Sequence, residues 1–200
     1  MLHLGLVEGS GNTHPGQGTA NRRFFFDNFM LELVWVSDPG EAQSERSRRT
    51  RLWDRLERRD PEVSPFGIIF KPSGGEVRPA PFPTWEYTPA YLPPGLALQV
   101  ADGTSLYEPE LFYLPLVNRP RRHGSEPTLH AVPIRRVVAL SIGVCRLDQL
   151  SNASQIAERH GLVSYFAAPQ PVLEIIFEGV AAVSFDLRPR LPLRFRGSGL

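Results

Sequence analysis

The chain has 200 residues, of which 22 are basic and 21 acidic, so its formal net charge is +1. This balance gives no general attraction to nucleic acid or to an anionic membrane surface, and no stretch reaches the roughly 18 apolar residues that a membrane-spanning helix needs. A single cysteine, Cys145, excludes an intrachain disulfide, so we expect a compact cytoplasmic protein in which Cys145 serves packing.

The first predicted element is a β-hairpin. Residues 20–26 and 29–36 are rich in aromatic and branched side chains, and Asp27–Asn28 between them is a link typical of tight hairpins. Alternation along the second strand places Glu32 on one face with apolar side chains, and Trp35 on the other. Because an ionised carboxylate without a partner is costly to bury, Glu32 needs an arginine, a metal, a ligand or an open cavity beside it.

A glycine-rich segment, residues 14–23, leads into this hairpin. It lacks the spacing of a nucleotide-binding loop, but it carries His14, Arg22 and Arg23. With Glu32 as a general base, His14 could move a proton and either arginine could hold an anionic substrate. The alternatives need no ligand: Glu32 forms a buried ion pair with Arg22 or Arg23, and His14 makes a hydrogen bond that stabilises a turn.

Residues 44–59 predict a helix with Ser44 at its start and a narrow apolar stripe. Seven arginines surround that stripe. We expect them to form a solvated helix face, and an anion site is the alternative.

Residues 61–94 combine many prolines with clustered aromatic residues. Proline at this density excludes a helix or a central strand, so we expect a rigid, irregular segment packed over the domain. It is either a lid or pocket wall, or an insertion that covers apolar surface. As a pocket wall it would offer Trp85, Tyr87 and Tyr91 as ligand contacts, together with Trp35.

The last part of the chain follows a polar break at residues 118–126. It predicts a strand at about 134–145, a helix at about 150–160, and strands near 172–177, 180–187 and 191–196. This order makes a βαβββ unit, and the first half looks like the same unit cut short. We expect His130, just before the first of these strands, to be structural, and a substrate contact is the alternative.

Four segments of the chain suggest a known family: His14–Asn21, Phe29–Leu33, Ser64–Ile68 and Asp186–Leu193. In these the chain resembles glyoxalase-like proteins of the vicinal oxygen chelate superfamily. The resemblance implies an α+β fold of paired βαβββ modules, the first truncated at its N-terminus. It divides the chain into a partial first module with a helix over 1–60, a connecting segment packed on the domain over 61–125, and a second module over 126–200.

The resemblance also implies where a metal would bind. In metal-using members, the first and last strands of each module hold a divalent ion that acts as a Lewis acid, and Glu32 corresponds to the last-strand ligand of the first module. Because only Met1–Leu4 precede Gly5–Gly9, we expect the strand that supplies the first ligand to be absent, and superposing the modules places Val183 or Pro192 opposite Glu32. We therefore expect no complete four-ligand site, and a divalent metal at Glu32 is left open.

Three hypotheses for function remain. In the first, a lyase, isomerase or dioxygenase-like enzyme acts on a small anionic or aromatic molecule in a concave sheet pocket around Glu32. In the second, a metal-free module binds a small apolar or aromatic molecule in a concavity lined by aromatic side chains. In the third, the shortened first module leaves a sheet edge open, and a second copy of the chain pairs with it as a homodimer.

Overall fold

The computed structural model describes residues 1–72, 77–115, 126–179 and 183–199, which form a mixed α+β fold. Twelve strands in three sheets and four short α-helices lie in these ranges. The predicted α+β class is therefore confirmed. None of the helices in the described ranges is long and apolar enough to cross a membrane.

The first sheet confirms the predicted hairpin. Its strands are antiparallel, and Arg23 lies opposite Glu32. Phe26 and Phe29 lie just outside the strands, and the Phe26 amide donates to the Phe29 carbonyl across the predicted Asp27–Asn28 link. Phe24 lies opposite Leu31, and both are buried in the main core. The strands are β1 (Asn12–His14), β2 (Thr19–Phe25) and β3 (Met30–Val36).

Two short helices, α2 (Glu45–Arg48) and α3 (Leu52–Leu56), replace the single helix predicted for residues 44–59, and a third, α1 (Pro39–Ala42), precedes that range. The prediction of one helix is wrong because Arg51 has a left-handed backbone, with φ 53°, which ends the helical path. The Asp38 side chain caps α1 by accepting from the Glu41 amide, whereas Ser44 before α2 makes no capping hydrogen bond.

The proline-rich segment contributes strands to a second sheet, so the prediction of an irregular segment over 61–94 is wrong. The strands are β4 (Gly67–Phe70), β5 (Thr84–Tyr87), β6 (Leu98–Ala101) and β7 (Glu110–Tyr113), in the order β4-β7-β6-β5. The prolines lie outside the strands, and the two strands from this segment occupy the outer positions. No strand from the proline-rich segment occupies a central position of this sheet, as expected.

The third sheet follows the predicted order of strand, helix and strands, with one strand more. Along the chain, the elements of this part are β8 (Val137–Val144), the helix α4 (Asn152–Arg159), β9 (Ser164–Ala167), β10 (Val172–Phe177), β11 (Ser184–Asp186) and β12 (Leu193–Gly197). The sheet order is β11-β12-β10-β8-β9, and the short β9 was not predicted. Residues 118–125 of the predicted polar break and 180–182 of a predicted strand lie outside the described residues.

One apolar core joins the three sheets. Phe24 and Leu31 of the first sheet, Leu111 of the second and Phe177 and Phe195 of the third are buried in it. The Phe177 and Phe195 rings meet edge to face at 5.5 Å. The core thus draws on all three predicted parts of the chain.

A buried charge network connects the short helices to the second sheet. Arg55 is 1% exposed, and its guanidinium donates to the carbonyls of Ser64, Ser105 and Glu108 and to the Glu110 carboxylate at 3.2 Å. Burial lowers the pKa of Arg55, and the nearby Glu110 charge opposes that change. The carboxylate and the carbonyls together compensate the desolvation of this cation.

Two further contacts extend this network. Arg51 donates to the Glu110 carboxylate at 3.0 Å and to the Thr104 carbonyl at 2.7 Å. The Glu108 carboxylate accepts from the backbone N–H and the hydroxyl of Ser151, which also caps α4 by accepting from the Ser154 amide. Glu110 therefore connects the second sheet with α3, and Glu108 connects it with α4.

Replacing Glu110 with glutamine should destabilise the fold strongly. Glu110→Gln leaves two guanidinium groups facing a neutral amide, and breaking a buried pair in this way costs about 3–5 kcal/mol of unfolding free energy. Urea denaturation measures the change. The control is Glu57→Gln, an exposed residue without a side-chain partner among the described residues, which should stay within about 0.5 kcal/mol. Equal losses in the two variants would contradict a structural role for the network.

Candidate functional site

The face of the first sheet that carries Glu32 also carries several polar side chains. His14 lies opposite Thr19, and Asn21 and Arg23 follow at alternate positions of β2. Because directly opposite residues of antiparallel strands share a face, these side chains lie on the same side as Glu32. His14, Thr19 and Asn21 are buried, and Glu32 is half-buried.

A chain of hydrogen bonds covers one end of this face. The His14 Nδ1 atom and the Gln17 amide nitrogen each lie 2.8 Å from the Thr19 hydroxyl. The hydroxyls of Tyr87 and Tyr91 both donate to the Gln17 Oε1 atom at 3.2 Å. The rings of His14 and Tyr91 are also in contact, with centroids 4.6 Å apart. We name these five residues the Gln17 cluster.

The glycine-rich segment is shaped by its contact with α1. The amides of Gly16 and Gly18 donate to one carboxylate oxygen of Glu41, at 2.7 and 3.1 Å. Gly18 has a φ of 72°, and a Cβ there would lie 2.3 Å from the Asp38 carbonyl oxygen. These glycines therefore serve a close backbone approach that positions Gln17.

Asn21 and Glu32 are neighbours with incomplete hydrogen bonding. The Asn21 Oδ1 atom accepts from the Asn12 amide at 2.9 Å, which leaves Nδ2 as the free arm of the side chain. That Nδ2 is buried and has no partner at full hydrogen-bond distance among the residues described. Burial raises the pKa of Glu32, while hydrogen bonding by the Asn21 side chain and the charges of Arg23 and Lys71 oppose the increase.

The two candidate arginines are bound to the segment before β1. Arg22 forms a two-point contact with Glu8, and alternation along β2 places it on the face opposite Glu32. Arg23 donates from Nε and Nη2 to the carbonyl and hydroxyl of Ser10, both at 2.6 Å. Neither forms an ion pair with Glu32, and no other described cation does so within 4.0 Å. The Glu32 carboxylate is therefore not neutralised by direct pairing.

The remaining candidates divide between this site and other places. Tyr87 and Tyr91 belong to the Gln17 cluster. The Trp85 ring centroid lies 6.1 Å from that of Tyr87, and the Arg49 guanidinium lies 4.1 Å from the centroid of the Trp85 ring. Trp35 lies on the opposite face of β3 and is 45% exposed. The structure thus groups the tyrosines, and not Trp35, with the Glu32 face.

His130 has both ring nitrogens in use. Its Nδ1 accepts from the Val7 amide at 3.1 Å, so Nε2 carries the proton and donates to the Phe25 carbonyl at 3.0 Å. Burial lowers the pKa of His130, and the bond to Phe25 opposes that change. Its observed contacts are those of a structural histidine.

Gln17 and Asn21 had no predicted role, although both lie in the glycine-rich segment. For Asn21 a signal was present, because the hairpin register and the alternation of β2 place it on the same face as Glu32. For Gln17 no local signal exists, since its partners Tyr87 and Tyr91 are 70 and 74 residues away in the sequence.

The donor set around Glu32 does not fit a divalent ion. Within the described ranges, no group of three or more histidine, cysteine, aspartate or glutamate side chains is placed to hold a metal. The groups that shift the pKa of Glu32 include the Asn21 amide, Arg23 and Lys71, and two of these are cations that repel an ion.

Comparisons with protein-family models, with curated proteins and with solved structures gave no match to this chain. The resemblance to the vicinal oxygen chelate superfamily therefore stays a prediction from the sequence.

The pH dependence of stability tests the surroundings of Glu32. Because burial raises its pKa above the usual 4.5, ionising Glu32 destabilises the folded state as the pH rises through that range. Glu32→Gln should therefore melt at a higher temperature than the parent chain at about pH 8, and the difference should shrink at about pH 4.

The matched control for this test is Glu86→Gln. Glu86 is exposed on β5 and has no side-chain partner in the part of the chain that the structure describes. It should show no comparable dependence on pH. A lower melting temperature for Glu32→Gln at about pH 8 would mean that the carboxylate is stabilised by a partner.

Proposed function

We propose that this chain is a metal-free small-molecule binding protein whose ligand contacts Asn21 and Glu32. The observation that carries the proposal is the buried Asn21 Nδ2 atom, which has no partner at full hydrogen-bond distance among the described residues and lies beside the Glu32 carboxyl group, which forms no ion pair with a described cation. Buried polar groups are nearly always hydrogen-bonded, and an unsatisfied one costs about 1–3 kcal/mol. A ligand that accepts from Nδ2 recovers this cost.

The ligand should be an uncharged molecule with a hydrogen-bond acceptor next to a donor. Asn21 supplies a donor and Glu32 an acceptor on the same sheet face, which is the complement of an amide or lactam edge. Burial lowers the pKa of His14, and Arg23 adds to that effect, so the neutral imidazole is favoured in the site. Arg22 and Arg23 are already bonded to Glu8 and Ser10, which removes the support for an anionic ligand.

The contacts favour binding over proton transfer. His14 bonds to Thr19 and stacks on Tyr91, and no described contact joins it to Glu32. Burial raises the pKa of Tyr91, and the charges of Tyr87 and Glu32 add to the increase, so this hydroxyl stays protonated. Tyr91 thus contacts His14 and lies near Glu32 as a neutral side chain whose hydroxyl is bonded to Gln17 and whose ring offers a surface to a ligand.

The paired-module arrangement of the vicinal oxygen chelate superfamily belongs to the same proposal. The order β8, α4 and then consecutive strands supports it for the second half of the chain. The β2–β3 hairpin supports it for the first half. The second half also has an additional strand, β9, which pairs in parallel with β8 and is not part of the predicted βαβββ order.

A homodimer is a second proposal, favoured by the position of β3. This strand of seven residues lies at the edge of the first sheet among the described strands, and its Trp35 side chain is 45% exposed. Light scattering at micromolar concentration should give twice the chain mass of 22.4 kDa, and Trp35→Ser should reduce it to a single chain. A monomer in the parent protein would contradict the proposal.

Ligand binding can be tested with pairs of ring compounds that carry an amide or lactam, such as 2-pyridone and its N-methyl analogue. Calorimetry should show saturable binding of the unmethylated member, weakened about tenfold by N-methylation. Asn21→Asp keeps the acceptor for Asn12 but loses the donor, and Glu32→Leu removes the acceptor, so each should weaken binding by about tenfold or more.

Glu86→Gln is again the control, because it changes an exposed carboxylate on β5 and should leave the affinity unchanged. Binding that neither Asn21→Asp nor Glu32→Leu reduces would contradict this location for the site. Circular dichroism checks that both variants fold.

A further inference from the structure

A cavity of about 150 Å³ lies where the three short helices meet, and it is separate from the Glu32 face. Arg48, Arg51, Trp53 and Asp54 line it, together with Ser47. Its volume suits a ligand of a few heavy atoms, and three of these side chains carry N–H donors. We ask what such a donor set would hold.

Arg51 lines this cavity, and both its backbone conformation and its hydrogen bonds restrict its position. It is the one residue other than glycine with a positive φ in the described chain, at 53°, a conformation that persists only where its surroundings stabilise it. Its Nη2 atom donates to Thr104 and to Glu110, while Nε and Nη1 make no hydrogen bond with any described residue. The guanidinium is therefore held from one side with two donors to spare.

Arg48 and Trp53 add further unused donors. Arg48 is exposed on α2, and its guanidinium forms no ion pair or hydrogen bond within the described ranges. Trp53 is half-buried, and its indole N–H likewise has no described partner. Asp54 is the acidic side chain of the lining, and neither arginine forms a salt bridge with it.

We propose that this cavity binds a small oxyanion, a phosphate or a carboxylate, between Arg48 and Arg51. Guanidinium groups match the paired oxygens of these anions, and a group whose other nitrogen is already anchored loses less freedom on binding. The Trp53 indole supplies an additional donor and a ring wall. The lining of this site includes neither Asn21 nor Glu32.

The competing explanation is a solvated arginine face that attracts anions without a defined site. It predicts that every exposed arginine of the short helices contributes equally. The cavity site predicts that the arginines lining the cavity matter and that their neighbours do not. Arg46 permits this comparison, because it lies on the same helix as Arg48 and is exposed, but does not line the cavity.

Titration at constant ionic strength tests the proposal, with inorganic phosphate, phenyl phosphate, acetate and benzoate as probes and tryptophan fluorescence as the signal. The parent chain should bind at least one probe saturably, and the stronger of the phosphate and carboxylate pairs identifies the oxyanion. Arg48→Met should raise the dissociation constant about tenfold or more, whereas Arg46→Met should change it less than about twofold.

Two further variants test the geometry. Asp54→Asn removes a like charge from the lining and should tighten binding severalfold, and Trp53→Phe should abolish the fluorescence change. Arg51→Lys keeps a cation near Glu110 but loses the planar fork, so it should weaken binding about as much as Arg48→Met if the fold, checked by circular dichroism, is retained. If Arg51→Lys does not fold, Arg48→Met and Asp54→Asn decide the matter.

Equal losses for Arg46→Met and Arg48→Met, or no saturable binding of any probe, would overturn the proposal. Glu32→Gln should leave oxyanion binding unchanged. A failure at one site is therefore distinguishable from a failure at the other.

Discussion

One buried carboxylate, Glu110, is the constraint on which the arrangement of this chain depends. Its oxygens accept from Arg51 and Arg55, and the neighbouring Glu108 binds the start of α4 at Ser151. The buried Arg55 guanidinium is compensated by the Glu110 charge and by backbone carbonyls, although its Nε atom has no described hydrogen-bond partner. Moving the helices away from β7 would break these contacts. The second sheet, the helices and α4 are thereby held in one relative position.

The sequence predicts elements whose causes are local and misses those whose causes are distant. The β2–β3 hairpin follows from alternation and a short polar link, and both act within a few residues. The single helix over 44–59 fails because Arg51 adopts a left-handed backbone that is stabilised by Thr104 and Glu110, more than 50 residues further along. No local pattern carries that information.

The candidate site shows the same division. The position of Glu32 on a partly covered sheet face could be predicted from alternation and from the cost of burying a carboxylate. The absence of an ion pair between Glu32 and either arginine could not be predicted, because the sequence allowed both Arg22 and Arg23 as partners. The structure shows that Arg22 is bonded to Glu8 and Arg23 to Ser10. Tyr87 and Tyr91 were predicted as ligand contacts, but their shared hydrogen bond to Gln17 depends on tertiary packing.

Ser47 gives the two candidate sites a shared part. It lines the cavity among the short helices, and its hydroxyl donates to the Gly16 carbonyl at 3.1 Å, next to Gln17. Any occupant of the cavity that displaces this hydroxyl also displaces the loop on which the Gln17 cluster is built. Coupling of this kind is reciprocal: if a molecule held beside Asn21 shifts this loop, it changes the affinity of the arginine-lined cavity by the same factor as an occupant of the cavity changes its own.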